Sequence, residues 1–172
     1  MFPQYHIPDF ESKVVGTWEE LGLGAPTIIA FALLCSNALA RQGEPKYDLD
    51  ELSAEAKALL FVARNRGVFE IKGTNNAYDA SARFLSVSVE VGDEHAVDFK
   101  VRGKPDITIR FLSGFRELCD IGLIMHHLFR DFSLSEFGFK AAKQLKEADL
   151  IQVLAPFAHD IANRPPDPTN LE

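Results

Sequence analysis

The chain has 172 residues, a formal net charge of −7 and a hydrophobic fraction of 47%. This length suits one domain that folds around its own core without disulfides or metals. The acidic balance disfavours non-specific binding to nucleic acid, which depends on attraction to phosphate. The charge is uneven, because residues 57–116 carry +3 while the segments before and after them carry −6 and −4.

The N-terminal segment, residues 1–12, contains two prolines and no hydrophobic period, which predicts an extended arm. Trp18 is expected to pack this arm onto the body. The segment has neither the basic start nor the apolar run of a signal peptide. The chain has two cysteines, Cys35 and Cys119, which we predict to be buried free thiols. Together these features predict a cytoplasmic, reducing location.

The first predicted helix runs from Pro26 to Gln42. Proline suits a first turn because it has no N–H group to leave unpaired, and Gly43 suits the end of the helix. The segment 28–35 is apolar nearly all round, so we expect this helix to be the most buried element. The apolar run at residues 25–40 is shorter than the ~20 residues that cross a membrane, and we predict no membrane contact.

A second helix is predicted from Ala54 to Asn65, after an acidic linker at residues 43–52. Ser53 suits its N-cap and Gly67 its end. The alternating segment 68–72 follows directly and predicts a short strand.

Three further strands are predicted after a turn-rich stretch in which Tyr78 and Asp79 could line a pocket. Apolar and polar residues alternate over 84–91, 97–101 and 107–111, with turn residues between them. This pattern predicts an antiparallel meander with one apolar face and one wet face.

The last third is predicted to be helical. One helix is expected from Gly114 to Arg130, and a second one to Leu150 after a capping box formed by Ser133 and Glu136. Pro156 is expected to break the following turns, and residues 164–172 form a proline-rich tail. The sequence thus predicts one α+β domain at residues 1–163, with a three- or four-stranded antiparallel sheet covered by N-terminal and C-terminal helices.

No phosphate-binding, zinc-binding or nucleophile motif occurs, and no cofactor or metal is predicted. One local cluster could carry chemistry: His126, His127 and Asp131. On a helix, His127 and Asp131 would share a face, so that the carboxylate could orient the histidine for proton transfer or metal binding. The alternative interpretation is an ordinary surface pair beside a core stripe.

A second cluster is basic and spans residues 57–110. Its candidate nucleic-acid-binding residues are Lys57, Arg64, Arg66, Lys100, Arg102 and Lys104. A helix followed by strands with a basic turn at residues 102–106 loosely resembles a winged helix–turn–helix domain. The order departs from that pattern, because an acidic linker stands where another helix should precede the recognition helix. A solvated surface of mixed charge is the alternative.

Three functions stay open at this point. The leading hypothesis is a non-enzymatic accessory or protein-interaction module, with a protein partner or self-association. The second is a nucleic-acid-binding regulator that uses residues 57–110. The third is a small enzyme or metal site built on the histidine cluster.

Overall fold

The computed structural model describes residues 26–41, 43–73 and 85–162. The predicted arm at residues 1–12, Trp18, the Tyr78–Asp79 turn and the tail at residues 164–172 lie outside these ranges. The division into an arm, one domain and a tail therefore stays a prediction.

The first two helices lie where the sequence predicts them. Helix α1 spans residues 26–40, and Gly43 adopts the left-handed conformation just after it, with φ of 95°. Helix α2 spans Ala54–Ala63, and the Ser53 hydroxyl accepts a hydrogen bond from the Ala56 N–H at 3.2 Å. Ser53 is therefore confirmed as the N-cap, because its side chain satisfies a first-turn donor that has no partner in the helix.

The sheet has five antiparallel strands in the order β3-β2-β1-β5-β4. Its strands are β1 (Val68–Gly73), β2 (Leu85–Gly92), β3 (His95–Asp98), β4 (Ile124–Leu128) and β5 (Asp131–Leu134). The α+β class is thus confirmed, with one more strand than the upper end of the prediction. Strands β1 and β2 lie where the alternation predicts them, whereas β3 spans His95–Asp98 instead of the predicted residues 97–101. Strand β4 lies in the segment predicted as a helix to Arg130, and β5 follows it.

The strand predicted at residues 107–111 is wrong, and so is the end of the helix predicted from Gly114 to Arg130. Residues 107–111 belong to helix α3 (Pro105–Ile121), which begins with a proline in its first turn. This helix ends at Gly122, which has φ of 84°, and the Leu123 N–H bonds to the Leu118 carbonyl at 3.0 Å. Because this arrangement closes the last turn, the chain leaves the helix before the two histidines.

The capping box predicted between Ser133 and Glu136 is also absent, because Ser133 lies in β5. Ser135 is the cap instead: its hydroxyl accepts from the Gly138 N–H at 3.1 Å and opens helix α4 (Glu136–Ala142). The predicted long helix to Leu150 therefore stops early. Short helical turns follow, namely Glu147–Asp149, α5 (Ile151–Leu154), Ala155–Phe157 and α6 (Ala158–Ala162).

Phenylalanines join the helices to the sheet. Phe115 in α3 contacts Phe31 of α1, Phe69 of β1 and Phe132 of β5, with ring centroids 5.1–5.6 Å apart. Its side chain is fully buried. Helices α2 and α3 pack on each other and against β2, so this layer covers one face of the sheet. The core is therefore built around α3 rather than around α1.

The prediction that α1 is the most buried element is wrong. Only one side of α1, carrying Ile28, Phe31 and Cys35, is buried. Among the described helices α2 is the most enclosed, because seven of its ten residues are buried. The outer side of α1 carries exposed apolar residues together with Ser36 and Asn37.

The polar face of β2 is less exposed than its pattern predicts. Ser86 and Ser88 are only 1% and 2% exposed. Ser88 pairs with Glu70 in β1 and Asp98 in β3, and the Lys72 ammonium lies 3.8 and 3.2 Å from those two carboxylates. Long charged side chains thus shield a short hydroxyl between them.

Candidate functional site

The predicted histidine cluster is divided between two strands. His126 and His127 lie in β4, and Asp131 begins β5. The expected helical pairing of His127 with Asp131 is therefore wrong, because the Gly122 cap ends the helix before them. Among the described residues, no carboxylate hydrogen-bonds to the His127 ring.

His127 instead meets a residue that the sequence did not single out. Its Nε2 lies 2.6 Å from the Ser133 hydroxyl on the neighbouring strand. The tautomer of the His127 ring determines which of the two groups donates, and the hydroxyl also lies 3.2 Å from the Leu134 carbonyl. The contact ties β4 to β5.

His126 has a structural environment as well. Its ring packs against Phe132 at 4.8 Å, and its Nε2 lies 2.8 Å from the Phe129 carbonyl. Nε2 donates to that carbonyl and closes the β4–β5 turn, in which Phe129 has a positive φ of 50°. Within the described ranges, no group of three or more His, Cys, Asp or Glu side chains could hold a metal ion.

The six basic candidates differ in their surroundings. Two of them are engaged locally. Arg64 stacks on the Phe61 ring at 3.7 Å, and Arg66 forms ion pairs with Glu90 and Asp93. The hydrogen bond that Arg66 donates to the Asp93 carboxylate raises the pKa of Arg66. Arg66 thus offers little unneutralised charge to a phosphate backbone.

The basic turn that was compared with a wing has a different structure. Residues 102–106 lead into α3, of which Pro105 is the first residue, so this turn does not join two strands. Arg102 and Lys104 are exposed there. Lys57 reaches back to the Asp50 carbonyl at 2.9 Å, and Lys100 is half-buried after β3. The hairpin geometry behind the winged-helix comparison is therefore absent at residues 102–111.

A cavity of about 470 Å³ lies on the face of the sheet opposite α2 and α3. Five carboxylates line it: Glu70, Glu90, Asp93, Glu94 and Asp131. Several are already neutralised, since Arg66 pairs with Glu90 and Asp93 while Arg130 lies 2.8 Å from Glu70. Three of the five carboxylates that line the cavity are thus paired with arginines, and the described lining residues do not direct several hydrogen-bond donors at one point where a ligand could bind.

The outward side of α1 is exposed along its length, and we call it the α1 outer face: Ile29, Ala30, Leu33, Ser36, Asn37, Leu39 and Ala40. Ile29, Leu33 and Leu39 are 56%, 57% and 64% exposed. No charged side chain occurs between residues 26 and 40. Exposed apolar surface of this kind marks contact sites for other macromolecules.

Two further exposed apolar residues lie at the β4–β5 turn. Leu128 and Phe129 are 60% and 53% exposed. Strand β4 is a sheet edge next to α1, because Ala38 and Leu39 of α1 line one shallow cavity together with Ile124 and Met125 of β4. The α1 outer face therefore lies beside a second apolar surface. The sequence signal for the α1 outer face was the all-round apolar run 28–35, which was interpreted as a fully enclosed helix.

No protein-family model, curated protein or solved structure matches the chain. The described residues include no helix with the length and apolar character needed to cross a membrane.

Proposed function

We propose that the chain is a non-enzymatic protein-interaction module that binds a second copy of itself through the α1 outer face. The observation that supports this proposal is the exposure of Ile29, Leu33 and Leu39 on a helix without charge. These side chains gain free energy when a partner removes them from water.

The size of that gain sets the expected affinity. Complete burial of a Leu or Ile side chain contributes about 1.5–3 kcal/mol, so the six side chains of the two copies, each somewhat more than half exposed, offer roughly 5–10 kcal/mol. The loss of translational and rotational freedom on association takes up at least about 4 kcal/mol of this gain. We therefore expect a weak dimer with a Kd of about 0.1–1 mM, which corresponds to roughly 4–5.5 kcal/mol.

The lack of charge favours a second copy over an acidic or basic partner. A charged partner segment would lose hydration on this face without gaining an opposite charge. A second copy brings an equally neutral surface, and a twofold axis places the same residues on both sides of the contact. Arg41 borders the face and already pairs with Asp120 at 3.5 Å.

Sedimentation equilibrium over a range of protein concentrations tests the proposal. We expect the average mass to rise toward that of a dimer at several hundred micromolar. Leu33→Glu should abolish the rise, since it places a charge at the centre of the face. Ile151→Glu is the matched control, because Ile151 is 62% exposed on α5 and should leave the association unchanged.

A strictly monomeric wild-type chain at ~1 mM would contradict the proposal, because that concentration is at the weak end of the expected Kd range. Equal loss of association in both glutamate variants would also contradict it, since the effect would then come from net charge.

A further inference from the structure

Helices α1 and α3 run side by side in the same direction, and residues at corresponding positions along the two helices lie opposite each other. The Phe31 and Phe115 rings are 5.4 Å apart. Two turns farther along, a Cβ placed on Gly122 would lie 3.2 Å from the Cβ of Ala38. On each helix the cysteine, Cys35 or Cys119, lies four residues after the phenylalanine of that helix. It also lies three residues before the position at which the two chains approach most closely.

This spacing brings the two cysteines to the same level of the helix pair. A disulfide needs Cβ atoms about 3.5–4.5 Å apart, which is closer than most helix pairs allow. One turn from the cysteines, a Cβ on Gly122 would lie even closer than this to the Ala38 Cβ, so α1 and α3 approach each other closely enough for a disulfide. Both thiols are buried and free in this structure.

We propose that Cys35 and Cys119 form a reversible disulfide on exposure to hydrogen peroxide and thereby fix α1 to α3. This inference is independent of the proposed self-association, since both cysteines lie on the packed side of α1.

The two thiols have different roles in this reaction. A hydrogen bond from Cys119 lowers the pKa of Cys35, while burial raises the pKa of Cys119. Cys35 is therefore the first thiolate to form, and the thiolate is the nucleophile. It attacks one peroxide oxygen, the O–O bond breaks, and the departing hydroxide takes up a proton to become water, which leaves a sulfenic acid on Cys35.

Cys119 completes the exchange. Its thiolate attacks the Cys35 sulfur, the S–O bond breaks, and the hydroxide that leaves becomes a second water with the Cys119 proton. In total, two thiols lose two electrons and two protons, and one peroxide is reduced to two waters. Because both side chains are almost fully buried, peroxide must enter as α1 opens locally, so the reaction is slow.

The test is the intact mass of the native protein after treatment with millimolar hydrogen peroxide, removal of the peroxide and alkylation in denaturant. We expect a mass lower by two hydrogens, no uptake of the alkylating reagent, and full recovery of both thiols with a reductant. A proteolytic digest should contain one linked peptide with both cysteines. Amide exchange in α1 should be slower in the oxidised protein than in the reduced one.

Cys119→Ser is the matched variant, because it keeps the first thiolate and removes the second. Peroxide should add oxygen to Cys35 in that variant without any loss of two hydrogens. If that variant does not fold, the linked peptide from the wild type still decides the question. Oxygen addition without a linked peptide in the wild type, or a link that forms only after unfolding, would overturn the proposal.

Discussion

Gly138 lies inside helix α4, where two effects of a change to alanine oppose each other. Alanine favours a helix interior over glycine by about 1 kcal/mol, so propensity alone predicts a more stable protein. The structure predicts the reverse. A Cβ at residue 138 would lie 2.1 Å from the Leu123 carbonyl oxygen, whereas such carbon–oxygen contacts are normally about 3.3 Å or longer.

The loss of stability in Gly138→Ala depends on how far the Leu123 carbonyl group can move away from the added Cβ. Leu123 is fully buried, and its carbonyl accepts the Ser135 N–H at 2.9 Å. Overpacking of this kind costs about 1–3 kcal/mol, and losing that buried hydrogen bond costs about 1–3 kcal/mol more. After the propensity gain is subtracted, we expect Gly138→Ala to lower the free energy of unfolding by about 1–5 kcal/mol.

Urea unfolding measures this change as a shift of the midpoint at constant slope. Ser113→Ala is the control, because residue 113 is exposed on α3 and the change should raise stability by a few tenths of a kcal/mol. Gly114→Ala should fall between the two, since its Cβ would lie 2.8 Å from the Ala56 nitrogen. A Gly138→Ala protein as stable as the wild type would refute the packing argument.

Phe115→Ala should cost about 3–5 kcal/mol in the same assay, whereas Phe129→Ala, at an exposed turn, should change stability by under about 0.5 kcal/mol. Ser53→Ala should cost about 1–2 kcal/mol because it removes the cap of α2 and the 2.6 Å hydrogen bond to Glu117; a cost no greater than that of Ser113→Ala would argue against both contacts. Fluorescence anisotropy with labelled DNA and RNA should show no salt-sensitive binding at tens of micromolar protein; binding that weakens steeply with salt would favour the nucleic-acid alternative.

The elements predicted correctly from the sequence are those whose pattern of apolar and capping residues fits only one type of secondary structure. The alternation in β1 and β2 has no helical equivalent, and Ser53 with Gly67 marks both ends of α2. The α+β class follows from these elements and from their order in the chain.

Residues 107–111 show why α3 was mistaken in part for a strand. Ile107, Ile109 and Phe111 alternate, but Ile107 and Phe111 are also four apart and continue a helical stripe to Phe115. Ile109 is 45% exposed on the other side of the helix. Pro105 was the signal that could have decided between the two patterns, because proline is common in the first turn of a helix and cannot donate to a strand ladder.

The surroundings of the candidate site residues depend on contacts between different elements, which the spacing of residues in the sequence does not indicate. The pairing of His127 with Ser133 exists only because Gly122 ends α3 and the chain turns back as a hairpin. The neutralisation of Arg66 likewise requires β2 and the β2–β3 turn to lie beside the end of α2. The exposed side of α1 could not be predicted, since an apolar residue can face either a core or a partner.

The pairing of α1 with α3 also has a consequence for synthesis on the ribosome. Cys119 follows Cys35 by 84 residues, so α1 leaves the exit tunnel long before its packing partner exists. At a translation rate of about 5–20 residues per second, the interval is roughly 4–17 s. Throughout that time both apolar sides of α1 face water, which makes it the nascent segment where a chaperone would bind first.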